Sequence, residues 1–290
     1  MTHPSATNTL TQVSKARLSD AEALDLRADF CLQLIRQAGD VALDGFARQV
    51  QGQAAGQAGQ PLATKGPQDF LTETDLAVEE FIRAQVAEAF PADGFFGEET
   101  GQVAGEAIWI VDPIDGTANF ARAIPHYCIA IALVLRGQLE FGAIYAPSTD
   151  EIYWARRGAG AYRNQTRLNV AATQDVAQAT YELGWSNRHS NQAYLDILAQ
   201  LLDGGVNVRR AASGALALAY VADGRSDGYA ELDMNAWDCL AGLLMVAEAG
   251  GIVGGTALSG DLTSGGSVLA VAPGVSDLLI RASGIAPQDA

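Results

Sequence analysis

Residues 109–120 read Trp109-Ile110-Val111-Asp112-Pro113-Ile114-Asp115-Gly116-Thr117-Ala118-Asn119-Phe120, and here a helical pattern gives way to a β pattern. The apolar run predicts a strand that ends at Asp112, because Pro113 cannot donate to a β ladder. Asp115 follows three positions after Asp112. One short turn can therefore direct both carboxylates to a single point.

This pair of carboxylates predicts a cation site. The two groups would repel each other unless a cation lay between them, and hard oxygen ligands of this kind suit Mg²⁺. Gly116 lets the backbone approach an anion closely, and the adjacent Thr117 amide can help to bind phosphate. Taken alone, an Asp-x-x-Asp-Gly segment more often indicates a capping turn in which Asp115 accepts from local amides.

Two further acidic segments lie outside this stretch. Glu98 and Glu99 follow Gly97, and such a pair on its own indicates a solvated surface. Asp238 opens an apolar helix in Ala236-Trp237-Asp238-Cys239, where an acid can cap the first turn. Each segment alone has this structural explanation.

The periodicity of the remaining chain predicts an α/β (α+β) fold, a layered αβαβα sandwich with a mostly antiparallel first sheet and a smaller mixed α/β half. Two long helices come first: one ends near Gly52, before a loop over 52–60, and Thr74 is the predicted N-cap of the second. Strands are predicted over 109–111, 127–135, 139–145, 151–155, 162–164, 168–170, 180–183, 207–209, 228–231 and 268–272. The later helices are predicted over 191–202, 215–222, 239–249 and 275–283. Residues 1–18 are expected to fray, and 19–290 to form one domain with halves at 19–175 and 176–290.

Composition narrows the function classes. The net charge of −16 argues against a nucleic-acid partner. The three cysteines are far apart and form no Cys-x-x-Cys pair, so we expect reduced core residues rather than a zinc site. Neither a signal peptide nor an apolar run of membrane-spanning length is visible, so we expect a cytoplasmic protein without a membrane partner.

Three segments together resemble the signature motifs of the inositol monophosphatase family. They are Gly97-Glu98-Glu99, residues 109–120, and Ala236-Trp237-Asp238 with Ala241-Gly242. Their order and spacing fit, the segment 65–75 is also similar, and the likeness runs from about Ala38 to about Ala272. The resemblance implies a magnesium-dependent, lithium-sensitive phosphatase that acts on a small-molecule phosphate monoester, and it also implies a homodimer.

The resemblance also implies roles for individual residues. Glu98, Asp112 and the Ile114 carbonyl would hold a first Mg²⁺, and Asp112, Asp115 and Asp238 a second. A weaker third ion would face Glu98, with Asp75 nearby. The amides of Gly116 and Thr117 would bind phosphate. Asp115, Glu231, Ser213 and Gly214 match substrate-contacting positions.

The implied mechanism is in-line attack on phosphorus by a water that magnesium activates. Asp112 and Glu98 would serve catalysis, and Glu98 with the Thr117 hydroxyl would orient and deprotonate the water. The substrate loop departs from the family pattern. Many members read Arg-x-Gly-Ser-Ala there, whereas this chain reads Arg210-Ala211-Ala212-Ser213-Gly214-Ala215. This departure affects the substrate assignment and leaves the metal ligands untouched.

Inositol 1-phosphate is the first substrate that the resemblance suggests, with histidinol phosphate close behind. Fructose 1,6-bisphosphate is a further alternative, and phosphoadenosine phosphate is less favoured because the motifs of that branch are not evident. A different class is a regulatory protein of the same fold, which the filled ligand positions do not favour. A calcium-binding structural protein would need an EF-hand loop, which the sequence lacks.

Overall fold

The computed structural model describes residues 20–55, 63–66, 69–259 and 261–288. Within them the α-helices are α1 Asp20–Ala54, α2 Glu73–Ala89, α3 Thr117–Phe120, α4 Asn191–Asp203, α5 Gly214–Ala222, α6 Ala236–Glu248 and α7 Ser276–Ser283. The strands are β1 Ala63–Gly66, β2 Asp69–Leu71, β3 Gly94–Gly97, β4 Gly101–Val103, β5 Ala107–Asp115, β6 Cys128–Leu135, β7 Gln138–Ala146, β8 Glu151–Arg156, β9 Gly160–Arg163, β10 Thr166–Arg167, β11 Thr180–Leu183, β12 Asn207–Arg209, β13 Gly228–Met234, β14 Ile252–Gly254 and β15 Gly266–Val271.

These strands build two main sheets. The first has eight strands in the order β10-β9-β8-β7-β6-β5-β3-β4, and only the pair β3–β5 is parallel. The second has the order β12-β11-β13-β15-β14, with β11 parallel to both of its neighbours and β15 antiparallel to both of its own. The strands β1 and β2 pair separately as a hairpin.

Strand β6 shows how the layers form. Its residues 128, 130, 132 and 134 belong to a core shared with α5, α6 and β15, whereas 129, 131 and 133 belong to a core shared with α1 and α2. Successive side chains of a strand point to opposite faces, so an all-apolar strand serves two cores. A third core joins α4 and α7 to the outer face of the second sheet. The order of layers is therefore αβαβα, which confirms the predicted fold class.

Strand β5 differs from its predicted form. It continues through Pro113 to Asp115, and its register against β6 shifts between Asp112 and Asp115. A bulge of this kind accommodates a proline, which cannot take part in regular pairing. The prediction that the ladder stops at Pro113 was wrong: the chain bulges and then pairs again at Cys128.

Other predicted boundaries also needed correction. Thr72, not Thr74, is the N-cap of α2, and the hairpin of β1 and β2 precedes this helix. Residues 168–170 form no strand, because the Leu168 amide donates to Ala161 and the Val170 amide to Ala249 at the end of α6. Residues 1–18 and 56–60 of the predicted mobile segments lie outside the described residues, while α1 continues to Ala54. Among the helices described, none is both long and apolar enough to span a membrane.

Candidate active site

The bulge in β5 brings two carboxylates to the end of the first sheet. Asp112 is 1% exposed and Asp115 is 8% exposed. Asp238, in the first turn of α6, joins them, so that one carboxylate oxygen from each of the three residues lies within 4.8 Å of the others. The predicted convergence of these three side chains is therefore found in the structure.

Asp115 is held by the start of helix α5. Its Oδ2 accepts from the Ser213 hydroxyl at 2.5 Å and from the Ala215 amide at 2.8 Å, and its Oδ1 accepts from the Gly214 amide at 3.3 Å. These amides belong to a helix N-terminus, where a carboxylate is favoured. The acid thus links the bulge of the first sheet to the middle helical layer.

Asp238 is held by the residue that caps its own helix. Asn235 and Asp238 form a capping box at the start of α6. The Asn235 backbone and side-chain nitrogens both donate to Asp238 Oδ2, at 3.3 and 3.2 Å. Asp238 is therefore the third residue of the helix rather than the residue that opens it.

The electrostatics of the cluster favour a cation. Burial, followed by the charges of Glu98, Asp238 and Asp115, raises the pKa of Asp112 well above its ordinary value. Burial also raises the pKa of Asp115, and it raises that of Asp238 to about 6. Buried like charges disfavour ionisation, and a divalent ion reverses this effect. The donor set consists of hard oxygens, which fits Mg²⁺.

Glu98 reaches the site from the turn after β3. Its amide donates to the Val111 carbonyl at 3.2 Å, and its side chain lines the same cavity as the three aspartates. The turn is held from behind by Glu79 of α2, whose carboxylate accepts from the amides of Glu99 at 2.9 Å and Thr100 at 2.8 Å. Glu79 is fully buried, and no sequence motif indicates this role.

Thr117 and Asp75 form a second group beside the aspartates. The Thr117 hydroxyl lies 2.9 Å from the Ile114 carbonyl and 3.2 Å from Asp75 Oδ1. Asp75 belongs to the capping box of α2 and accepts from the Thr72 amide at 2.9 Å. Burial raises the pKa of Asp75 to about 6. The Ile114 amide donates to Asp112 Oδ1, so this group and the cluster share one turn.

A cavity of about 330 Å³ opens above these residues. All the predicted site residues line it except Asp75, which lies behind Thr117: Glu98, Asp112, Ile114, Asp115, Gly116, Thr117, Ser213, Gly214, Glu231 and Asp238. The cavity is also lined by residues that the motifs did not indicate, among them Glu182, Trp185, Arg188, Met234 and Asn235.

Glu231 also lines the cavity. It accepts a hydrogen bond from the Tyr229 hydroxyl, and burial raises its pKa to about 8. Gly184 packs so closely that an added Cβ would lie 2.0 Å from Glu231 Oε2, which requires glycine there. At Gly214 an added Cβ would lie 2.5 Å from Met234 Cε, so the methionine occupies the space that an alanine would need.

The loop 210–215, which departs from the family pattern, has a strained residue at its centre. Ala212 has φ = 58°, in the left-handed region that favours glycine. Asn119 Nδ2 holds this loop by donating to the Ala211 carbonyl at 2.9 Å. The exchange of Gly and Ala around Ser213 thus puts alanine in the conformation suited to glycine.

The sequence profile of the inositol monophosphatase family matches residues 24–286. The chain belongs to the inositol monophosphatase family. It is 41% identical over 195 residues to an inositol-1-monophosphatase of Rhizobium meliloti, an alignment covering 66% of this chain and 73% of the relative. It is 40% identical over 192 residues to a protein of Xylella fastidiosa named Nus factor SuhB, with 65% and 70% of the two chains covered.

A solved structure has the same fold. The extragenic suppressor protein SuhB of Bartonella henselae superposes with a TM-score of 0.80 and 32% identity, covering 88% of this chain and 97% of that one. The recognised family and the predicted layer order are therefore both confirmed.

Glu79 and Asn235 support the site of this inositol monophosphatase family member, and the sequence motifs predicted neither residue. Glu79 lies 19 positions before Glu98 within an ordinary amphipathic helix, so nothing local marked it. Asn235 does carry a local signal, because an Asn followed three residues later by an acidic residue at a helix start resembles a capping box.

All three cysteines are buried and free, as predicted.

Proposed function

We propose that this protein is a Mg²⁺-dependent phosphoric monoester hydrolase and that inositol 1-phosphate is its favoured substrate. The observation that carries this proposal is the cluster of Asp112, Asp115 and Asp238 beside Gly116-Thr117, at the floor of one cavity. Family membership supports a phosphatase and a small phosphate substrate. The first ion would be held by Glu98, Asp112 and the Ile114 carbonyl. The second would be held by Asp112, Asp115 and Asp238, and a third would face Glu98.

The bound Mg²⁺ ions would supply Lewis acidity and charge neutralisation at the phosphate. The protein contributes positions and proton acceptors. Glu98 and the Thr117 hydroxyl would orient the attacking water. Asp75 Oδ1 lies 3.2 Å from the Thr117 hydroxyl and is placed to accept the proton of that hydroxyl. The Gly116 and Thr117 amides would bind phosphate oxygens, and Glu231 would accept from the hydroxyl groups of the alcohol.

The finer features of the proposal have two sources. Lithium sensitivity and a homodimer are implied by the family resemblance, whereas a cytoplasmic location and the division of the domain into halves at 19–175 and 176–290 are predicted from the sequence pattern. Histidinol phosphate and fructose 1,6-bisphosphate stay as alternative substrates. Ser213 and Gly214 would contact the substrate from the loop that also holds Asp115.

A regulatory role is the second candidate, because several relatives bear the name Nus factor SuhB. The two roles predict different results in a turnover assay. A regulator without activity would release no phosphate from any member of a panel of inositol phosphates, histidinol phosphate, fructose bisphosphate and adenosine bisphosphate.

The direct test is Asp112→Asn, which keeps the shape of the side chain and removes its charge. We expect Mg²⁺-dependent phosphate release to fall by at least about 10²-fold, the scale on which a preorganised electrostatic group contributes to catalysis. The fold should persist in circular dichroism. The matched control is Asp196→Asn on the exposed face of α4, which should keep wild-type turnover. Near-normal activity in Asp112→Asn would contradict the proposal.

A further inference from the structure

The loop between β11 and α4 carries an arginine into the wall of the cavity. Arg188 Nη1 donates to Asp233 Oδ1 at 2.6 Å, and Arg188 Nη2 donates to Asn235 Oδ1. Asp233 lies in β13, and Asn235 follows this strand as the N-cap of α6. Both arms of the guanidinium therefore contact the segment that leads into the helix carrying Asp238.

Asn235 connects this arginine to the acidic cluster. Its Nδ2 donates to Asp238 Oδ2 at 3.2 Å while its Oδ1 accepts from Arg188. A side-chain amide has one acceptor oxygen and one donor nitrogen. If this amide turned over, its oxygen would face the Asp238 carboxylate and its NH₂ group would face the guanidinium. Arg188 therefore favours the amide orientation that donates to Asp238.

We propose that Arg188 is a positioning residue that fixes the Asn235 amide and so holds the Asp238 carboxylate in the orientation that completes the cation site. This inference rests on the proposed function, because it takes the acidic cluster to bind a divalent ion. The Arg188 side chain is 44% exposed, so its ion pair with Asp233 contributes little by itself. The planar guanidinium fixes the directions of its two hydrogen bonds, to Asp233 and to Asn235, whereas a compact ammonium group would not fix them.

Charge alone predicts the opposite effect. A guanidinium near a cation site repels the cation, so removing the positive charge should tighten metal binding. Loss of the positioning contact should weaken metal binding, because Asp238 would be less well oriented. The sign of the change in affinity therefore separates the two effects.

The test is Mn²⁺ binding to the full chain without substrate, followed by electron paramagnetic resonance. We expect Arg188→Met to raise the Mn²⁺ dissociation constant by about fivefold, the scale of one net hydrogen bond. Arg188→Lys keeps the charge and loses the fork, and it should also bind more weakly. The matched control is Arg36→Met: Arg36 likewise donates to an aspartate and an asparagine, Asp150 and Asn164, but outside the cavity. It should bind Mn²⁺ as the wild type does.

A second variant asks whether Arg188 acts through Asn235. Asn235→Ser keeps a favourable N-cap and removes the amide. In that background Arg188→Met should cause no further loss of affinity. Unchanged or tighter binding in Arg188→Met, or an equal further loss in the Asn235→Ser background, would overturn this inference alone. A wild-type protein that binds no Mn²⁺ would overturn the proposed function and this inference with it.

Discussion

Ala212 has a backbone conformation that an alanine rarely adopts. A non-glycine residue in the left-handed region costs about 1–2 kcal/mol, whereas glycine takes it without a steric penalty. The residue persists there because its neighbours hold the loop: Asn119 binds the preceding carbonyl, and Ser213 binds Asp115. The strained residue therefore lies beside Gly116, and both residues line the cavity.

We predict that Ala212→Gly raises the free energy of unfolding by about 0.5–1 kcal/mol, the relieved strain less the greater entropy of glycine in the unfolded chain. Urea unfolding followed by circular dichroism would measure it. Ala247→Gly, on the exposed face of α6, is the control and should lower the free energy of unfolding by about 1 kcal/mol. A lower free energy of unfolding in Ala212→Gly would contradict the claim that Ala212 is strained.

Single residues differed in how well the sequence revealed them. Asp112, Asp115 and Asp238 stand in recognisable strings, so the motifs predicted their convergence before any fold was known. Glu79 and Arg188 act through contacts with residues 20 or more positions away. Such contacts depend on the packing of whole elements, and neither periodicity nor local spacing encodes them.

At the scale of elements, helix α2 supports the turn that carries Glu98. The Glu79 carboxylate replaces backbone partners for two amides of this turn, and Gly97 permits its approach, since an added Cβ would lie 2.4 Å from the carboxyl carbon. A buried amide that loses its acceptor costs free energy. The helix thus sets the position of a proposed metal ligand that it does not itself contain.

We predict that Glu79→Gln lowers the free energy of unfolding by about 1–3 kcal/mol, because the glutamine NH₂ group would face one of the two amides. Phosphate release should fall with it, since the Glu98 turn loses an anchor. Chemical denaturation and a turnover assay would measure both effects. Glu80→Gln, exposed on the same helix, should change neither property, and wild-type behaviour of Glu79→Gln would refute the anchoring role.

Helices and strands were predicted correctly where the apolar periodicity was strong and no local signal pointed to a different structure. The apolar strand β6 and the helices α4 to α7 lie close to their predicted ranges. The errors arose where a local signal had two solutions. Pro113 can end a strand or sit in a bulge, and the pairing of Asp115 with Cys128 selects the bulge. Both threonines near α2 can cap a helix, and the capping box with Asp75 selects Thr72.

At the scale of the whole molecule, a glutamate in each main sheet has a shifted pKa that links its ionisation to the stability of the fold. Burial raises the pKa of Glu182 in the second sheet, and Arg209 lies 3.5 Å away without donating a hydrogen bond to its buried Oε1. In the first sheet, hydrogen bonds from Arg225 lower the pKa of Glu151. The two residues therefore respond oppositely to pH.

We predict that Glu182→Gln becomes more stable than the wild type as the pH rises above 4.5, until the pH passes the raised pKa of folded Glu182 and the difference stops growing. A raised pKa means that folded Glu182 keeps its proton above 4.5, the ordinary value, where the unfolded chain loses it, so stability falls with rising pH. Each unit by which the pKa is raised corresponds to about 1.4 kcal/mol. Urea unfolding across the range from about pH 5 to 8 would measure the difference.

Glu151→Gln is the control for this pH series. A lowered pKa gives a stabilisation that is complete above 4.5 and lost only as the pH falls below it. The difference between Glu151→Gln and the wild type should therefore stay nearly constant from pH 5 to 8. A constant difference for Glu182→Gln as well would show that Glu182 is ionised in the folded protein throughout this range, against the prediction.

The layer order followed from the sequence, because the helices and strands alternate in a way that few packings accommodate. The sequence did not show which helices form the middle layer, because this depends on how α5 and α6 pack against both sheets. That middle layer also supplies Asp238 and the amides that hold Asp115.

Asp115 receives its hydrogen bonds from the very loop that departs from the family pattern. An exchange at Ser213, or one that moves the Gly214 or Ala215 amide, would therefore change the hydrogen bonding of a proposed metal ligand as well as the lining of the cavity. Substrate preference and cation affinity would not vary independently in this protein. Substrate preference and cation affinity would therefore change together under mutation and selection. A variant selected to hydrolyse the phosphate ester of a different alcohol would need its magnesium requirement measured again.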